Sequence, residues 1–125
     1  MLKYQAVVTG IGPLVTEFID AGILVFFGAD APPELAEFTI IHDGKELKAD
    51  LAPGDVIYID DHQFKVLAVG EVANPNFSAL GHLVMKFNDS DTVEMPGDVC
   101  VEAKPIPPIV VGSVLRIEQG VVSSL

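Results

Sequence analysis

The chain has 125 residues and a mass of 13.3 kDa, enough for one hydrophobic core and too few for two ordinary domains, so residues 1–125 are read as a single domain. Its 18 acidic and 7 basic residues leave a formal net charge of −11, a surface that repels phosphate backbones and anionic lipid heads and makes nucleic acid an unfavourable partner. Half of the residues are apolar, the single cysteine forms no internal disulfide, and no run reaches the roughly 18 apolar residues of a membrane span, so a folded, soluble, cytoplasmic protein without direct membrane insertion is expected.

Strand signals recur at short spacing and helical periodicity is nearly absent. "YQAVVTGIG" comes first, followed by "GILVFFG", a β-branched and aromatic run between Gly22 and Gly28. Pro32 and Pro33 suit "APPEL" to a bend or a one-turn helix, and "EFTIIH" is the third strand. "DVIYID" and "HQFKVLAVG" form a hairpin tightly joined around Asp60 and Asp61.

Residues 73–81, "ANPNFSALG", hold a short helix or an irregular loop. In "HLVMKF", Leu83, Met85 and Phe87 share one face and His82, Val84 and Lys86 the other. "TVEMPGDVCVE" reads as strand, turn and strand, with Cys100 as packing; the proline-rich "AKPIPPIVVG" must be loop or edge, and "SVLRIEQ" is the last strand. The expectation is an all-β fold, a small closed or partly open β-barrel of about six to eight short strands with at most one short helix.

Familiar catalytic signatures are missing. "HDGK" lacks the leading glycine and the Ser or Thr of a phosphate-binding loop, and no G-x-S-x-G, HExxH or GxGxxG is present. The remaining reactive groups are the three histidines, His42, His62 and His82. On the residues alone each is either a packed or surface side chain or a working one, and together they could hold a metal or small ligand if the fold brought them to one place.

His42 shares a face with Phe38 and Ile40 and sits where the strand gives way to "DGKELK", an apolar rim with donors beyond it. Were it phosphorylated, the backbone N–H groups of a turn over Asp43, Gly44 and Lys45, and the Lys45 or Lys48 ammonium, could hold the dianion. His62 alternates with Phe64 and Val66 and reads as a core or barrel-end side chain, or as a further support for the phosphoryl group. His82, on the face of Lys86, could be exposed or a donor to the phosphoryl group.

Taken together, "GADAPPELAEFTIIHDGKELKADLAPGD", "HQFKVLAVGEVANPNFSALGHLVMKF", "MPGDVCVE" and "VGSVLRIEQ" resemble, in order and spacing over nearly the whole chain, the glucitol/sorbitol-specific IIA component of the phosphoenolpyruvate-dependent sugar phosphotransferase system (PTS). The resemblance implies a cytoplasmic phosphotransferase component that takes a phosphoryl group from the phosphocarrier protein HPr on His42, at Nε2, and passes it to a cysteine of the IIB component, with the membrane IIC component downstream. Transfer between such high-potential species demands no metal, nucleotide or other cofactor. The resemblance also places, at Gly44, a position where some relatives carry a second histidine.

Overall fold

The computed structural model describes residues 1–120. Among them eight strands, β1 (Leu2–Ile11), β2 (Ile23–Phe27), β3 (Ile40–His42), β4 (Val56–Ile59), β5 (His62–Val69), β6 (Leu83–Phe87), β7 (Asp98–Val101) and β8 (Val114–Glu118), close a barrel in the order β1-β3-β2-β6-β7-β5-β4-β8. Closure gives every strand two neighbours and leaves no edge for another chain to pair with. Neighbours run antiparallel except β2 with β3 and β6 with β7.

The core follows from strand alternation. Leu83, Met85 and Phe87 of β6 point inward as their spacing predicts, and Phe64 and Val66, Ile57 and Ile59, and Leu115 and Ile117 do the same on their strands. The β4–β5 hairpin turns through Asp60 at φ +53°, and the Asp60 carboxylate accepts the Val114 amide at 2.9 Å. That bond ties the turn to the neighbouring strand. The proline-rich segment carries no regular structure, yet Ile106 and Ile109 pack against the core.

Two expectations need correction. Three short helices are present rather than at most one: α1 (Val15–Asp20), α2 (Pro33–Ala36) and α3 (Ala73–Leu80). The six residues of α1 are too few to display a 3.6-residue repeat, and tertiary packing holds them, with Val15 buried and Phe18 stacked on Phe38 at 5.1 Å. The second concerns "TVEM", which is not a strand; the ring is already complete when β6 pairs directly with β7, and Ser90 instead bonds the Thr92 amide and carbonyl.

α3 positions the site. Pro75 falls in its first turn, where a missing N–H costs nothing, Ala73 and Phe77 bury one face, and Gly81 ends it in the left-handed region at φ +66°.

Candidate functional site

β3 delivers Ile40 and His42 to the barrel interior, and both are 0% exposed. Opposite them β1 carries one extra residue, Thr9, between the Val8–His42 and Gly10–Ile41 pairs. A bulge of this kind bends a strand and redirects its neighbours, and here it lies directly beside the histidine.

Both ring nitrogens of His42 are engaged. Nε2 lies 2.8 Å from the carbonyl oxygen of Gly81, and the Gly44 amide donates to Nδ1 at 3.1 Å. A carbonyl only accepts and an amide only donates, so the partners place the proton on Nε2 and the lone pair on Nδ1. Burial pushes the imidazole pKa below its ordinary 6.5, against the opposing pull of the Gly81 carbonyl and the Asp43 carboxylate. Near neutral pH the ring is therefore uncharged, the form a nucleophilic imidazole requires.

The ring lines a cavity of about 470 Å³. β1 contributes Tyr4, the segment after β2 contributes Gly28 to Asp30, the segment after β3 contributes Asp43 to Lys45, and α3 contributes Phe77 to Leu80. Tyr4 meets His42 edge-on with centroids 5.8 Å apart and packs against Phe77 at 4.3 Å. Burial, helped by the Asp43 charge, pushes the Tyr4 hydroxyl pKa up to about 12. A Cβ on Gly44 would fall 2.2 Å from the Tyr4 oxygen, so any side chain there requires Tyr4 to sit elsewhere.

Of the residues the sequence singled out, His42, Asp43, Gly44 and Lys45 meet at this cavity. The Asp43 amide donates to the Val7 carbonyl and its Oδ1 accepts the Val7 amide, so Asp43 is tied to β1 by its backbone and its side chain. Lys48 is exposed and lies outside the lining, its amide held by the Lys3 carbonyl.

Of the two positions expected for His62, core or barrel end, it takes the barrel end and is exposed, because β5 begins there and its first residue projects past the core layer that Phe64 starts. In the ring order β5 stands opposite β3. His82 is half-buried on the outer face, its ring tilted at 37° against Phe27 with centroids 4.9 Å apart, and with Nδ1 3.3 Å from the Phe26 carbonyl. The three histidines therefore do not converge, and no group of three or more His, Cys, Asp or Glu side chains is arranged to hold a metal among the described residues. A shared site on His42, His62 and His82 is not assembled.

The apolar rim also differs from expectation. Phe38 precedes β3 and stacks on α1, and Ile40 is internal, so the apolar wall beside His42 comes from Phe27, Ala29, Ala79 and Leu80 instead. Sequence reading missed these residues together with Tyr4, Phe77 and Gly81. The glycine closing "ANPNFSALG" was the available signal, since a glycine after a short helix marks a left-handed cap.

A model of the family described as the PTS system glucitol/sorbitol-specific IIA component matches residues 3–116. The chain belongs to this family. Glucitol/sorbitol-specific EIIA components of Shigella flexneri and Escherichia coli are 40% and 39% identical to it over 116 residues, covering 92% of this chain and 94% of each relative. The crystal structure of a PTS system IIA component from Enterococcus faecalis superposes with a TM-score of 0.79 at 27% identity, covering 94% of this IIA chain and 99% of that one. Among the described residues of this IIA chain, no helix is long and apolar enough to cross a membrane.

Proposed function

We propose that this IIA component is a cytoplasmic phosphocarrier in which His42 accepts a phosphoryl group from phospho-HPr and donates it to a cysteine of the IIB component, supporting uptake and phosphorylation of glucitol/sorbitol through the IIC permease. The observation that carries this reading is that His42 alone of the three histidines lines the cavity, with its ring held in the neutral, nucleophilic form. Family membership supplies the reaction class.

The surroundings support the same chemistry. The Gly44 amide is a donor at the ring, and Lys45 brings a cationic residue to the cavity lining, which suits a phosphoryl group. Leu80, 50% exposed on the cavity wall with Ala29 and Ala79 beside it, offers apolar surface on which two partners could dock in succession. The net charge of −11 steers encounter with a basic carrier. No cofactor enters the reaction, because the bond broken and the bond formed are both of high transfer potential.

Incubation with phosphoenolpyruvate, enzyme I and HPr tests the reading. The expected result is one phosphate, labile in acid and persistent in base, that passes to IIB. Uptake by a folded His42→Ala variant would overturn it.

A further inference from the structure

We infer, on the reading that His42 is the acceptor, that the Tyr4 hydroxyl donates a hydrogen bond to the phosphoryl group carried on the imidazole. Tyr4 thereby becomes a second side chain of this site that touches the transferred group.

β1 pairs Tyr4 with Ile117 of β8 and buries it to 3% exposure, its ring against Phe77 at 4.3 Å and edge-on to His42 at 5.8 Å. The hydroxyl oxygen lies where a side chain on Gly44 would begin, beside the residue whose amide meets the imidazole. A buried tyrosine hydroxyl ordinarily has a hydrogen-bond partner. This one has none among the described residues, and the bonds at the ring run from Gly44 and to Gly81 without it. Nor is it sealed away, since the side-chain atoms that are both buried and unpaired are Thr39 Oγ1 and Arg116 Nε. The oxygen therefore opens onto the cavity that Tyr4 and His42 line together.

His42 is 0% exposed, so a phosphoryl group on its ring has to occupy that cavity. Asp30, Asp43, Lys45 and Ser78 also line it, but all four are exposed; apart from His42, Tyr4 is the buried polar side chain of the wall. A donor already held by its packing needs no ordering when the anion arrives. The Asp43 carboxylate acts on both rings, and a dianion brought beside it needs donors to offset the repulsion. With its pKa pushed up to about 12 by burial and by Asp43, the hydroxyl keeps its proton and remains a donor. The contact adds no covalent step, because the Tyr4 O–H bond stays intact while phosphorus moves from one imidazole to the other.

Two measurements on the full chain test this role. At equilibrium with phospho-HPr, a folded Tyr4→Phe variant should hold roughly ten- to a hundredfold less phosphoryl relative to HPr, the worth of a hydrogen bond to a charged group. In the unsubstituted chain labelled with 13C at tyrosine Cζ, the Tyr4 signal should move downfield on phosphorylation, while that of Tyr58, which lies under the Arg116 guanidinium, stays in place. A partition for Tyr4→Phe within about twofold of the unsubstituted chain, or a Tyr4 signal that does not move, would overturn the role of Tyr4 and leave the phosphocarrier reading intact. Should Tyr4→Phe fail to fold, the labelled unsubstituted chain decides alone. Absence of phosphate from His42 would overturn both.

Discussion

The Nε2–H of His42 donates to the carbonyl of Gly81 across 39 positions of sequence, joining the end of β3 to the corner between α3 and β6. Gly81 holds that carbonyl in place through a backbone at φ +66°, and a Cβ there would lie 2.9 Å from both the Gly28 nitrogen and His42 Cε1. Gly81→Ala is therefore expected to cost about 2–3 kcal/mol, from left-handed strain plus displacement of packed neighbours. Urea unfolding followed by circular dichroism measures the loss; a change below about 0.5 kcal/mol would show the corner to be more yielding than its contacts indicate.

The buried imidazole links stability to pH. Its folded-state pKa lies below the ordinary 6.5, so the unfolded chain binds the proton more readily. Stability from the neutral ring is fully present above about pH 6.5 and is lost as pH falls through the lower folded value. His42→Gln should remove this part of the pH dependence. Unfolding free energies of both proteins from about pH 7.5 to 5 check it, and parallel curves would refute the linkage.

What could be read from sequence was local. The β4–β5 hairpin and the inner face of β6 declare themselves by period-two alternation beside a turn, and both stand where that pattern puts them. His42 stood out as a histidine at a strand end. The opposite wall of its cavity was not legible, because Phe27, Leu80 and Gly81 reach the ring only through the neighbour order β3-β2-β6, including one parallel contact. No local periodicity encodes that order. His62 could not be placed for a related reason: parity along β5 assigns its face correctly, but where the core layer begins depends on the other strands.

The ion pairs should separate sharply by burial. Lys3 Nζ and the Asp55 carboxylate are 2.7 Å apart with side chains 8% and 4% exposed, and Asp55 also accepts the Ala52 and Gly120 amides. Asp55→Ala strands a buried ammonium and should cost about 3–5 kcal/mol. The Lys104–Glu102 pair, at 3.2 Å with side chains 50% and 34% exposed, is screened by solvent, so Lys104→Ala should cost less than about 1 kcal/mol. Denaturant midpoints for the two variants, with Asp55→Asn as a milder companion, decide it; similar midpoint shifts for Asp55→Ala and Lys104→Ala would contradict the argument.

The two outer histidines separate structural from chemical effects. His62 is exposed on the strand opposite β3, so His62→Gln should leave both stability and phosphate uptake unchanged. His82 packs on Phe27, a cavity residue, and bonds the Phe26 carbonyl, so His82→Gln should lower stability by about 1 kcal/mol while preserving one phosphate per chain. Phosphate counted by intact-protein mass, with uptake rates taken at fixed HPr concentration, distinguishes the cases. Loss of uptake in a folded His82→Gln variant would mean that this ring supports the phosphoryl group directly, which its position on the outer face argues against.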